Sequence, residues 1–450
     1  MAFHDLRGNP SGSGQAAARD AVESALWRMM SFYDTPLADL DTAIAADPGW
    51  ALPHTMKAGF LLSLTEPALY DEAAAHLAQA ARRLDGAPAP EQAHFEAVRA
   101  LLDGRWHDAS RLWDELLISA PRNALALQWA QLWDFHRGDA SGLRQRPARA
   151  LPEWDATDPL WPHVMALYAF GLEEANLFPQ AEDAGRQALA ADARVPWAVH
   201  AVAHVMEMQG RFDEGSAWLR QHQPQWAEGN GFAGHLWWHQ GLFRLEALDV
   251  AGVLRLVDKH LSGDALQITL QRVDAASMLW RLHLIGEDVS ALAAALVAGW
   301  PADDTSAGWH AFNDLHYLLA LLAAGQVARA ETWVARCAER ALPADGARRA
   351  NHAVAREVGL PLMRAMLAYA RGDAAGAADG LYAARPAAQR IGGSHAQREL
   401  IDQTLFAACA GGPRRALGRA LLNERLMARP ASPLARHWSE RLGEAREVRA

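Results

Sequence analysis

The sequence predicts an all-α solenoid, a superhelix of helical hairpins, and three observations carry that prediction. Segments of about 12 to 18 residues, rich in Ala, Leu, Arg, Glu and Trp, repeat their apolar positions at the helical period, with almost no strand-like alternation. Short breaks recur at Asp47-Pro48-Gly49, Gly86-Ala87-Pro88, Ala120-Pro121-Arg122, Gly210-Arg211 and Gly325-Gln326. There Gly or Pro ends one helix and a polar turn starts the next. Small residues also recur in phase: Ala181 in FPQAEDAGRQAL and Gly215 in FDEGSAWLRQH lie 34 residues apart, the length of a tetratricopeptide unit, so the hairpins are expected to be tetratricopeptide-like. A small residue in that slot lets the second helix of a hairpin approach the first.

In chain order, residues 1–15, with Gly8, Pro10, Gly12 and Gly14, read as a flexible or extended arm, and residues 16–450 as one continuous helical-repeat domain. Second-helix phrases recur at Tyr70-Asp71-Glu72-Ala73-Ala74, Trp106-His107-Asp108-Ala109 and Gln326-Val327-Ala328-Arg329-Ala330. Residues 138–156 read as a longer connector, too short to divide domains. At 450 residues the chain exceeds what one compact core organises, which favours an elongated repeat.

Composition narrows the function. Hydrophobic residues at 51% and charged residues at 21% fit a globular chain. The net charge of −10, with basic residues scattered except around Arg414–Arg429, argues against nucleic acid as a partner. The Arg-rich stretch reads as a solvated helix surface. Cys337 and Cys409 are too few for a disulfide framework or a cysteine-based zinc site. The opening MAFHDLRGNPSGSG lacks an apolar signal core, and no apolar run is long enough to span a bilayer, so a cytoplasmic location without membrane contact is expected.

The candidate site emerges from phasing. His200 and His204 in WAVHAVAHVMEMQG, and His235 and His239 in GHLWWHQGLFRLE, are each spaced i, i+4 and so share a helix face. His200 to His235 and His204 to His239 are both 35 residues, one repeat. A further 35 reaches Asp274, and 36 more reaches His310, followed at i+4 by Asp314. Glu207 follows His204 by three residues, and Glu173 stands 34 before Glu207. First helices of adjacent hairpins lie about 8–10 Å apart, so long side chains on them can share a ligand. His163, Trp237 and Trp238 are candidate walls. A lone imidazole on an apolar helix face is more often a hydrogen-bonded core residue than a ligand, and Trp237 and Trp238 are more often packing than ligand walls.

Three chemistries fit this column. His200, His204, His235, His239 and Asp274 are a ligand set for a transition metal, although HExxH is absent. Without metal, His200, His204, His239, Asp274 and Glu207 are candidate acid/base groups for hydrolysis or a related reaction. No GxSxG elbow, Walker loop or GxGxxG is present, so no nucleotide cofactor is expected. The third reading is a non-catalytic peptide- or protein-binding scaffold. A small-molecule ligand or substrate is the expected partner, and a homo-oligomer stays open.

Six phrases, AFGLEEANLFPQAEDAGRQALA, WAVHAVAHVMEMQGRFDEGSAWL, HLWWHQGLFRLEALD, VDAASMLWRL, FNDLHYLLALLAAGQ and IGGSHAQREL, occur in this order. Together they resemble the tetratricopeptide repeat protein 38 family, with a match running from about Met30 to Leu422. The resemblance implies a tetratricopeptide-like superhelix without transmembrane segments and assigns no activity. It also adds His316, Ser394, His395, Gln397 and Arg398 as ligand-binding suspects, brought over the pocket by a curling C-terminal repeat. Following Gly392-Gly393, His395 reads equally as a helix-start residue.

Overall fold

The computed structural model describes residues 3–302, 306–343, 351–430 and 432–443. The fold is all-α, a tetratricopeptide-like succession of helical hairpins, and the described residues contain one two-stranded ribbon besides. By internal contacts the chain divides into two units. The first comprises Met1–Val205, Gln221–Ala233 and Arg348–Ala350; the second comprises Met206–Arg220, Gly234–Ala347 and Asn351–Ala450.

The first unit opens with strands β1 (Phe3–His4) and β2 (Pro10–Ser11), paired antiparallel with Phe3 opposite Ser11. Within the stretch read as a flexible or extended arm, this ribbon is held against the helices that follow. The Gly12 N–H donates to Glu91 Oε1 at 2.7 Å, the Trp50 indole N–H donates to the same carboxylate at 3.0 Å, and Arg7 pairs with Glu23 at 2.5 Å. Burial raises the Glu91 carboxyl, and the two donors oppose that shift.

Helices α1 (Ala16–Ser31) through α10 (Phe178–Ala191) then alternate in hairpins. Residues 138–156, read above as a connector, instead contain α8 (Ala140–Ala150), packed against α9 (Trp161–Glu174). Its start is set by Asp139, whose side chain accepts the Gly142 N–H. Pro147 inside the helix obscured it. A proline there removes one backbone donor, leaving the Leu143 carbonyl without its helical partner. Gly171 of α9 lies against that carbonyl, where a β-carbon would come within 2.5 Å of Leu143 C and 2.7 Å of Arg144 Cα. The core around Phe170 is built mostly from Ala166, Ala169, Ala181, Ala184, Ala188, Ala198 and Ala201, small side chains that let helices approach closely.

Helix α11 (Pro196–Met208) and α12 (Phe212–Gln221) cross the boundary between units. The second unit continues through α13 (Ala233–Glu246), α14 (Val250–His260), α15 (Thr269–Ile285), α16 (Ser290–Gly299), α17 (Ala311–Ala323) and α18 (Val327–Ala341). After α19 (His352–Val354) come α20 (Leu360–Ala370), α21 (Ala374–Ala384), α22 (His395–Gly411), α23 (Arg415–Ala428) and α24 (Pro433–Gly443).

Asp249 of α14 and Asp373 of α21 repeat the cap seen at Asp139, each accepting an N–H from a glycine three residues on. The predicted small-residue slot at Gly215 faces the Phe243 ring, with no room for a β-carbon. Helix α22 packs on α15 and α21. The Trp280 indole donates to Thr404 Oγ1 at 2.9 Å, and the Trp438 indole to Gln403 Oε1 at 2.5 Å. No described helix is long and apolar enough to cross a membrane.

A buried histidine–carboxylate site

Helical spacing places His235 and His239 one turn apart on α13, with ring centroids 4.8 Å apart and nearly perpendicular. Each imidazole meets a carboxylate from another helix of the second unit. His235 Nδ1 is 2.7 Å from Asp274 Oδ2 on α15, and His239 Nδ1 is 3.1 Å from Glu207 Oε2 in the last turn of α11. His239, Glu207 and Asp274 are buried, while the His235 side chain keeps 13% of its surface. The Asp274 carboxylate on Nδ1 of His235 holds the proton there and makes Nε2 the basic nitrogen.

Trp238 forms the floor. Its ring stacks on His235 at 5.2 Å and 19°, and the Arg281 guanidinium lies 5.5 Å from the Trp238 centroid. Arg281, fully buried, donates to the Ala396 carbonyl at 2.7 Å and to Ser277. Burial lowers the Arg281 guanidinium, opposed by Glu399, Glu207, Asp274 and Glu246. Gln397 completes the ring, its amide reaching Asp274 Oδ1 at 3.5 Å. Ser394 caps α22 by accepting the Gln397 N–H, and Arg398 donates to the Gly393 carbonyl, so the turn at 392–398 delivers Gln397 to the site.

Beneath this site lies an ionic cluster. Glu399 bridges Arg425 and Arg429 at 2.8 and 2.7 Å; Arg425 also pairs with Glu246, which accepts from Ser432 at 2.6 Å. Burial alone would raise the Glu399 carboxyl, but Arg429 and Arg425 outweigh it and hold the group well below the usual range. Glu207 behaves oppositely. Burial, only partly offset by Arg429, pushes it up to about 8, so it keeps its proton at neutral pH. With Glu207 neutral, the carboxylates of Glu246, Asp274 and Glu399 match the guanidinium groups of Arg281, Arg425 and Arg429, three against three. Uncompensated buried charge is thereby avoided.

The phasing extended to His310 is corrected by the structure. His310 precedes α17 as its N-terminal flanking residue, whereas Asp274 is the sixth residue of α15 and His316 the sixth of α17. The repeat there measures 42 residues (316 − 274), because the segment before α17 is longer than a regular turn. His316 therefore takes the position expected of His310. Its Nδ1 is 2.7 Å from the Phe312 carbonyl; burial lowers it to about 4, with Asp274 acting in the opposite sense. His310 is lowered to about 4 by burial as well.

Trp237, on the other side of α13 from His235, stacks on His260 at 4.0 Å and does not line the site. His395 is the half-buried first residue of α22. Asp314 belongs to a separate cluster. Its Oδ1 accepts the Gly308 N–H at 3.1 Å, and Cys337 lies beside it.

Burial raises the Asp314 carboxyl from 3.8 to about 8 against the pull of Gly308 and Arg340. The folded chain thus keeps a proton that the unfolded chain releases above about pH 4. The stability linked to this group is fully present below about pH 4 and falls as pH rises to about 8. Asp314→Asn should gain on the parent by up to roughly 1.4 kcal/mol per pH unit over that window, read from paired urea melts. Melts whose difference stays constant across the window would refute the assignment.

The first unit carries its own group. His200 and His204 of α11 lie 4.4 Å apart at 82°, and His204 Nδ1 is 3.7 Å from Glu173 Oε2 on α9. Phe170 stacks on His200 at 5.3 Å and meets His204 edge-on at 5.5 Å; half-buried Trp197 and Phe232 flank His200 at 4.8 and 4.9 Å. His163, also buried in this unit, is lowered to about 4 by burial.

Of the five residues offered as a metal set, His200 and His204 belong to the first unit and His235, His239 and Asp274 to the second. Arg281, Glu246 and Glu399 were not among the sequence candidates, and Arg425 and Arg429, in the stretch read as a solvated helix surface, are instead buried in ion pairs with Glu399 and Glu246. Glu246 and Arg281 do stand in phase, 35 residues apart and each two turns after His239 and Asp274, whereas Glu399, Arg425 and Arg429 follow no such spacing.

No family model matches the chain. Among solved structures it is similar to a tetratricopeptide repeat protein from Parabacteroides merdae ATCC 43184, at 13% identity and TM-score 0.35, over 66% of this chain and 98% of that one. It is also similar to a human IFIT1 dimer with m7Gppp-AAAA, at 15% identity and TM-score 0.41, over 96% and 94% of the two chains. A third similar structure is the APC/C hetero-tetramer Cut9-Hcn1, at 13% identity and TM-score 0.28, over 92% and 87%.

Proposed function

We propose that the protein is a helical-repeat enzyme that acts on a small molecule by proton transfer, with His235 as the general base oriented by Asp274. The observation that carries this reading is the 2.7 Å contact between His235 Nδ1 and Asp274 Oδ2, made by the imidazole of the second-unit pair that keeps solvent access. His239 and protonated Glu207, one turn away, supply a second proton-holding pair suited to the acid step. Hydrolysis or elimination uses such a base and acid. Membership of the tetratricopeptide repeat protein 38 family, suggested by the six ordered phrases, belongs to the same reading.

The test is turnover of a panel of small esters, amides, lactones and β-substituted acids by the whole protein. His235→Gln and Asp274→Asn should each lower the rate on any substrate found by about 10²-fold or more, with melting temperatures close to the parent's. A panel without turnover, or a His235→Gln protein of parental rate, would refute the proposal. Carboxylates on Nδ1 also orient imidazoles that bind metals. A metal-assisted form therefore predicts close to one equivalent of a transition metal in purified protein, and less than about a tenth of an equivalent removes that form.

A scaffold role is the second reading, favoured by the succession of hairpins, an architecture that commonly presents binding surfaces. It predicts that His235→Gln leaves partner binding unchanged.

A further inference from the structure

Helices α3 (Leu52–Ser63) and α4 (Tyr70–Ala81) form one hairpin of the first unit and bring two histidines together. The imidazoles of His54 on α3 and His76 on α4 lie 5.9 Å apart between ring centroids, tilted by 30°. His54 is 6% exposed, and among the described residues neither of its ring nitrogens has a hydrogen-bond partner. His76 Nδ1 is likewise buried without one, whereas its Nε2 is 4.0 Å from Glu72 Oε1, one turn earlier on the same face of α4. A buried neutral imidazole is satisfied by one donor and one acceptor. His94 on α5 (Ala89–Leu102) shows that arrangement: its Nδ1 accepts from the Trp113 indole at 3.2 Å, and its Nε2 meets Asn123 Oδ1 at 3.1 Å. The three unanswered ring nitrogens of His54 and His76 are a surplus that packing alone does not explain.

Both imidazoles are held neutral. Burial, aided by Arg83, His76 and Lys57, lowers His54 to about 4 against the pull of Asp41; burial and Lys57 also lower His76, opposed by Glu72 and Asp41. A transition ion needs its imidazoles deprotonated, so protons do not compete for these nitrogens at neutral pH. Two imidazoles that share a zinc ion at about 2.0–2.1 Å leave their centroids roughly 5–6 Å apart, which is the separation of His54 and His76. The Glu72 side chain keeps 53% of its surface, so its carboxylate has room to turn onto such an ion. Lys57 is engaged by Asp41 Oδ1 at 2.5 Å, which offsets its repulsion of a cation. Two histidines and a glutamate, with a fourth position for water, are a zinc donor set. We propose that His54, His76 and Glu72 bind a zinc ion on the α3–α4 hairpin. The site shares no residue with the histidine–carboxylate pairs of His235 and His239.

The experiment is equilibrium dialysis of the whole protein, first stripped of metal, against ~10 µM free zinc in ~1 mM magnesium, with bound zinc read by elemental analysis. The parent should hold one equivalent more than either His54→Phe or His76→Gln. His54→Phe removes an imidazole that has no hydrogen bond to lose, so its melting temperature should stay close to the parent's. His76→Gln, at a partly exposed position, keeps the test valid if His54→Phe does not fold. Glu72→Gln should weaken this equivalent at least about tenfold. His235→Gln should retain it, which separates this site from the metal-assisted form of the proposed catalytic one. Equal zinc in the parent, His54→Phe and His76→Gln, parental affinity in Glu72→Gln, or loss of the equivalent to magnesium would overturn the assignment.

Discussion

Replacing Glu399 with alanine should destabilise the second unit by about 3–5 kcal/mol. Arg425 and Arg429, each with less than a tenth of its side chain exposed, both donate to this one carboxylate. Among the described residues, its removal leaves Arg429 donating to the Met208 sulfur and Arg425 paired with Glu246. It also upsets the three-against-three charge match that leaves Glu207 protonated. Glu399→Gln, which keeps the shape and loses the charge, should fall between the alanine variant and the parent. Urea unfolding read by tryptophan fluorescence checks both, and a loss below about 1 kcal/mol for the alanine variant would show that the cluster is stabilised elsewhere.

Gly171→Ala should cost about 3 kcal/mol in the first unit, although helix propensity alone favours alanine by about 1 kcal/mol. The sign turns on what the new methyl meets. At Gly171 it meets the backbone of α8 at Leu143 and Arg144, and two helices would have to separate. Gly241 offers the contrast, since a β-carbon there meets the end of the flexible Met278 side chain at 2.8 Å. Gly241→Ala should therefore be close to neutral. Thermal melts of the two variants decide the matter, and equal behaviour would mean that α8 can shift without loss.

The same two helices show what was legible along the chain. The hairpins, their turns and the slot at Gly215 could be read because periodicity, caps and small residues act over a few residues. Helix α8 was missed although Asp139 and Gly142 mark its start, because Pro147 and the polar residues around it imitate a connector. The pairing of His235 with His239 on one face is likewise a local property of a helix with 3.6 residues per turn.

Partners chosen across helices were not legible in that way. Repeat phase set Asp274 35 residues after His239, yet Asp274 meets His235, one turn earlier on α13, and the phase did not extend to His310, where a longer segment precedes α17. Arg281 and the Glu399 cluster depend on how α22 and α23 pack against helices more than a hundred residues earlier, such as α15. Glu207 is an ordinary acid in the sequence and a proton-holding group in the fold, because only burial beside a balanced set of charges decides which carboxyl stays neutral. The histidine–carboxylate site thus owes its faces to local helix geometry and its chemistry to long-range desolvation.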